Sequence, residues 1–260
     1  MDYLQNILKS KGSSSTDIRE AKQTLINFSK KHTDTVTIFK SFIFWKKYIN
    51  KEGCSMITEL FTGLYYSRIE CLNCNQISDT FEPFTMLTLE IPHGDSITLE
   101  ECLEKFSKEE LMTGNEKYNC LNCKKKTDAK KTIYIWEAPA ILIIHLKRFK
   151  NEYVTANYSR QIKINSTVKF PLKNLSLDKN YSNIHKSYNK YDLCAISEHM
   201  GTLQSGHYIA HAKNKINNKW YKFDDSTIYH VPDVDVEKEI VTNKAYILFY
   251  SRQNVLSGQQ

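Results

Sequence analysis

The tetrapeptide Cys-Leu-Asn-Cys occurs twice, at Cys71–Cys74 and at Cys120–Cys123. Two Cys-x-x-Cys pairs restrict the chain more than any other pattern in it, because four sulfurs that serve one ion must converge. Each pair reads as the tip of a hairpin. Four thiolates so placed complete a tetrahedron around one Zn²⁺ and leave no open position for water, so the role of the ion would be structural. Disulfides are the competing use of the thiols, but seven cysteines is an odd number. Residues Met1–Gly12 also lack the uninterrupted apolar region of a secretory signal. Tyrosine aside, the longest apolar run, Ala140–Ile144, is five residues, far short of a membrane span. A reducing compartment, cytosol or nucleus, is the expectation.

The second constraining stretch runs from Gly206 to Asp225. Gly206, His207 and Tyr208 open it, Trp220-Tyr221-Lys222-Phe223-Asp224-Asp225 close it, and the polar segment Asn214–Lys219 between them reads as a hairpin turn. A histidine thereby comes beside a carboxylate, which can hold the imidazole in one tautomer and leave the other nitrogen free to accept a proton. Simple register with the turn centred near Ile216 puts Asp225 opposite His207, and a single bulge would select Asp224 instead. A surface ion pair is the competing reading of the same residues.

Elsewhere the period of apolar residues marks the elements. Met1–Lys9 reads as an amphipathic helical piece, and a second helix is expected from Thr16 or Asp17 through Phe28. Leu87, Leu89 and Ile91 alternate with polar positions as a half-buried strand. Thr98 and Glu101 form a capping box for a short helix through Leu103 and Phe106. Thr132–Trp136 and Ala140–Leu146 read as strands separated by Ala138-Pro139, the second apolar enough to be central, and Val168–Pro171 reads as an edge strand in an otherwise polar region from Asn151 to Tyr188.

Gly206-His207-Tyr208, the Trp220–Asp225 run, Ala245–Tyr250 at the close, Leu146-Lys147-Arg148-Phe149, and the passage from Ser55 through both cysteine pairs resemble the ubiquitin-specific proteases. These are papain-like cysteine proteases that cleave ubiquitin from its conjugates. The resemblance implies an α+β fold: a helical thumb remnant at 1–50, fingers and palm of antiparallel sheets at 51–252 with a zinc ribbon at about 68–126, and a tail at 253–260. It implies His207 as general base and Asp224 as the residue that orients it. It also implies that Tyr208, beside Gly206, lines a narrow groove for the tail of ubiquitin, where only glycine lets the backbone pass. Structural zinc at Cys71, Cys74, Cys120 and Cys123, and ubiquitin, polyubiquitin and ubiquitinated proteins as partners, follow likewise.

One part of the family pattern is not met. The nucleophilic cysteine of the family sits in a Gly-Asn-x-Cys context, and no cysteine of this sequence has one. Cys102 and Cys194 read as small buried hydrophobes, and Cys54 occupies a position that varies in the family. The expectation is a deubiquitinase segment inactive by itself. A ubiquitin-binding pseudoenzyme is the first alternative. The second is a zinc-ribbon nucleic-acid binder, suggested by a net charge of +7 and by Lys124-Lys125-Lys126, but it leaves the histidine stretch unexplained. His145 and His199 read as structural histidines with satisfied nitrogens, and His211 has no functional reading either.

Overall fold

A computed structural model describes residues 33–155, 158–184, 190–202 and 204–253. The two helices expected before residue 29 lie outside the described residues. The chain separates into two compact units, Met1–Gly53 and Cys54–Gln260. In the first, helix α1 (Thr33–Glu52) stacks Phe44 on Tyr48, one turn apart on one face.

The second unit is mixed α+β and is built mainly of antiparallel sheet. Its helices are α2 (Met56–Phe61), α3 (Leu99–Phe106) and α4 (Val236–Ile240). Strands β1 (Gly63–Cys71), β2 (Ile77–Phe84), β3 (Leu87–Glu90), β4 (Ser96–Thr98), β5 (Glu110–Met112), β6 (Tyr118–Cys120), β7 (Lys125–Thr127), β8 (Ala129–Glu137) and β9 (Ile141–Lys147) come first. They are followed by β10 (Phe149–Thr155), β11 (Tyr158–Lys163), β12 (Thr167–Lys169), β13 (Leu175–Ser176), β14 (Lys190–Gly201), β15 (Gly206–Lys213), β16 (Trp220–Asp224), β17 (Thr227–Val231) and β18 (Ala245–Arg252).

One sheet runs β2-β1-β8-β5 and carries both cysteine pairs near one end, the second on the small β6-β7 hairpin. A ladder of rings stiffens it: Tyr66 packs on Phe81 and Tyr134, and Trp136 stands edge-on to both Tyr66 and Phe81. The larger sheet runs β17-β16-β15-β14-β18-β9-β3, with β13 added to β14. Strand β9 is interior, as its apolar run requires, and its Leu142, Ile144 and Leu146 are fully buried. On β3, Leu87 and Leu89 are buried while Thr88 and Glu90 face out. Burial of each such side chain stabilises the fold by roughly 1.5–3 kcal/mol.

Helix α3 begins with the expected capping box. Thr98 Oγ1 accepts from the Glu101 N–H at 3.2 Å, and the Glu101 carboxylate accepts from the Thr98 N–H at 2.6 Å. The helix turns Leu99, Cys102 and Leu103 into the core. The edge strand expected near Val168 is β12, paired in parallel with β4. The polar region after Asn151, for which the sequence assigns no element before Val168, holds the β10-β11 ribbon. Arg148, just before this ribbon, is fully buried without a carboxylate: Nε donates to the Ala245 carbonyl, and Nη1 donates to those of Ile164 and Ser166.

Candidate active site and thiolate cluster

Strands β14, β15 and β16 place His207 by simple register. Ala210 faces Phe223 and Lys213 faces Trp220, so the ladder continued one step sets Asp224 across from Ile209. Side chains two residues apart share a face, and His207 therefore meets Asp224 on the diagonal. The contact is His207 Nε2 to Asp224 Oδ1 at 2.6 Å, with the side chains 42 % and 36 % exposed. The expectation that simple register sets Asp225 opposite His207 fails by one residue, because the connection is centred between Ile216 and Asn217. Asp225 falls beyond β16, in the turn to β17, with a left-handed backbone (φ 50°). Its carboxylate still lies within 4.8 Å of the other two groups.

The electrostatics follow from this geometry. The hydrogen bond to Asp224, together with the charges of Asp224 and Asp225, raises the His207 pKa above its usual value against a smaller opposing effect of desolvation. With Nε2–H committed to the carboxylate, the nitrogen left to accept a proton from a reacting group is Nδ1. No cysteine sulfur joins this group among the described residues.

Around His207 the two neighbours expected in the site sit differently. Tyr208 is 55 % exposed. Gly206 is locked in place, since a Cβ there would run into His199 Nε2 and come within 2.7 Å of the Met200 carbonyl oxygen. His199 is buried, its ring 4.7 Å from Tyr208 and edge-on to Phe149 at 5.4 Å. It is not a satisfied structural histidine: Nδ1 has no hydrogen-bond partner among the described residues, because aromatic rings rather than polar groups enclose it. Burial keeps it neutral by lowering its pKa. Tyr246 and His145 complete this aromatic cluster. Lys163 Nζ, from β11, donates to the carbonyls of His199 and Gly201 at 2.8 and 3.1 Å and so fixes the end of β14.

The cluster was not read from the sequence. Phe149 and Tyr246 belong to stretches that were singled out, but only strand pairing brings them beside Tyr208. His211 is buried between Glu198 at 3.8 Å and Glu239 at 3.9 Å without a hydrogen bond to either. Burial pushes its pKa down to about 4.

The four knuckle cysteines converge. Cys71 Sγ lies 3.9 Å from Cys123 Sγ and Cys74 Sγ lies 3.7 Å from Cys120 Sγ, with all four within 4.8 Å of one another. Tetrahedral coordination at the usual zinc–sulfur length puts sulfurs about 3.8 Å apart, so the donor set fits a metal ion of that size. Each knuckle closes in the same way. Asn75 N–H donates to Cys71 O and Lys124 N–H donates to Cys120 O, both at 2.8 Å. Asn75 and Lys124 have left-handed backbones of 56° and 54°. Bonding to Thr127 Oγ1 at 3.2 Å and to backbone N–H groups lowers the Cys71 pKa to about 6.

The other cysteines lack activated thiols. Burial raises the Cys102 pKa to about 11 and also raises that of Cys194, while the Glu59 carboxylate raises that of exposed Cys54. Among the described residues no helix is long and apolar enough to cross a membrane.

Comparison with known proteins is consistent across sequence and structure. The family model described as ubiquitin carboxyl-terminal hydrolase matches residues 1–250. Ubiquitin carboxyl-terminal hydrolase 2 of Gallus gallus is 36% identical over 214 residues, covering 81% of this chain and 57% of its own. Ubiquitin carboxyl-terminal hydrolase Usp2 of Drosophila melanogaster is 35% identical over 219 residues, or 82% of this chain and 22% of that protein. The chain thus spans well under two thirds of these relatives. Among solved structures, the yeast SAGA deubiquitinating module matches with a TM-score of 0.66 at 32% identity, covering 78% of this chain and 43% of that one. The Ubp8/Sgf11/Sus1/Sgf73 module bound to ubiquitin aldehyde matches with a TM-score of 0.65 at 30% identity, covering 83% and 48%.

Proposed function

The chain belongs to the ubiquitin carboxyl-terminal hydrolase family, and from that membership we propose that it supplies the base, its orienting carboxylate and the ubiquitin-gripping fingers of a deubiquitinase. The single observation that carries this reading is the contact of His207 Nε2 with Asp224 Oδ1 at 2.6 Å, which leaves Nδ1 free. In the reaction, Nδ1 takes the proton of a cysteine thiol, and the thiolate adds to the carbonyl carbon of the last glycine of ubiquitin. The leaving amine departs with the proton from Nδ1. Water, deprotonated by the same nitrogen, then cleaves the thioester and frees the thiol. Asp224 holds the ring and stabilises its cation, and Tyr208 beside Gly206 lines the path of the glycine tail.

The nucleophile in this proposal lies outside these 260 residues, since four of the seven thiols serve the tetrad and the other three have raised pKa values. Cys71, Cys74, Cys120 and Cys123 hold structural Zn²⁺, which ties the fingers together and takes no part in the chemistry. Residues 51–252 act as fingers and palm, with the ribbon at about 68–126. The need for reduced thiolates puts the protein in the cytosol or nucleus. The missing nucleophile favours one second reading, a pseudoenzyme that binds ubiquitin without cutting it.

Hydrolysis of ubiquitin carrying a C-terminal fluorogenic amide separates the readings. The isolated 260-residue chain should show none. The natural protein containing it should hydrolyse the substrate and lose that activity on His207→Ala. Ubiquitin binding without hydrolysis by the natural protein would instead identify the pseudoenzyme.

A further inference from the structure

The residue preceding the last cysteine of each knuckle is asparagine, and one of the two reaches across. Asn73 Nδ2 donates to Cys123 Sγ at 3.2 Å, from the first knuckle to the last cysteine of the second. The backbone turns of the knuckles are equivalent, with matching Asn75 and Lys124 conformations and matching 2.8 Å N–H···O bonds.

We propose that Asn73 is a positioning residue of the metal site, acting as an amide clamp that joins the knuckles and stabilises the Cys123 thiolate. This rests on the reading of the cysteines as a metal site. Four thiolates about one divalent ion leave a net charge of −2 on the cluster, and an N–H aimed at a sulfur disperses part of it. The second effect is geometric. Because the Asn73 amide crosses to the opposite knuckle, it holds together two segments that are far apart in sequence. A donor from within the same knuckle, such as the Cys123 N–H that reaches Cys120 Sγ at 3.4 Å, cannot do this. Outer-shell partners of metal ligands elsewhere contribute about 10–100-fold in affinity.

Cobalt(II) titration of the full 260-residue chain tests the proposal, with the sulfur-to-cobalt charge-transfer band and chelator competition as readouts. The wild-type chain should show the intense near-ultraviolet band of tetrahedral thiolate coordination. Asn73→Ala should weaken binding about 3–10-fold, a modest share of what outer-shell partners can contribute. It should also move the band to lower energy, because a sulfur that loses its hydrogen bond gives up electron density more readily. Asn73→Asp keeps the shape, removes the donor and adds a negative charge, so it should weaken binding more than alanine does. Unchanged affinity and an unmoved band in both variants would overturn the clamp. A wild-type chain with no thiolate band would overturn the metal site itself, and the clamp with it.

Discussion

His207 and Asp224 meet on a diagonal of the β15-β16 ladder, Nε2 to Oδ1 at 2.6 Å, rather than across a direct pair. The diagonal makes Asp224 the hydrogen-bond partner, while Asp225 in the turn contributes only charge.

Asp224→Asn should therefore lower the His207 pKa, and Asp225→Asn should lower it less. Ring proton shifts followed by NMR across pH measure both. The native value is raised, so stability from this pair is present below the unfolded pKa and is lost as pH rises through the folded one. In the natural protein, Asp224→Asn should reduce turnover by about 10²–10⁴-fold, since the ring loses its fixed tautomer.

Gly206→Ala should destabilise the fold by about 1–3 kcal/mol, because the new methyl group meets the His199 ring and the Met200 carbonyl. Urea denaturation gives the value. His199→Ala removes one of the two obstacles, so the double variant should lose less than the sum of the singles. Strict additivity would mean that the two residues do not press on each other.

Arg148→Met removes a buried cation that serves three backbone carbonyls. Ala245 is fully buried, so its carbonyl has no solvent to turn to, and the loss should be about 3–5 kcal/mol in urea denaturation. Arg148→Lys should recover only part of it, because an ammonium group cannot reproduce the planar fork.

Stripping metal with a chelator, or Cys120→Ser, should lower the melting temperature. It should also raise hydrogen exchange in β1, β2, β6, β7 and β8 while leaving β14, β15 and β18 protected. The cysteines sit at the end of β1 and on the β6-β7 hairpin, and the larger sheet has its own core. Equal loss of protection in both sheets would contradict a local role.

Much of this was legible from local pattern. The alternation of Leu87 and Leu89, the Thr98–Glu101 box, the apolar β9 and the two knuckles are signals confined to a few residues, and the structure contains each of them. The β10-β11 ribbon lies in a region that reads only as polar, because Lys150-Asn151-Glu152 and Ser159-Arg160-Gln161 leave no apolar period of two. Arg148 was not foreseen in the core, since its residue type reads as surface until three carbonyls are found around it. The choice between Asp224 and Asp225 turned on the centre of one turn, a one-residue matter that composition does not encode. The aromatic cluster of His199, Tyr208, Tyr246 and Phe149 needed pairings between distant strands.

The most direct test of the central claim uses ubiquitin bearing a C-terminal thiol-reactive group, allowed to react with the natural protein that contains this chain, followed by mass-spectrometric mapping of the adduct. The account predicts an adduct on a cysteine other than the seven in this sequence, formed far more slowly after His207→Ala. An adduct on Cys54, Cys102 or Cys194, or one indifferent to His207, would contradict it.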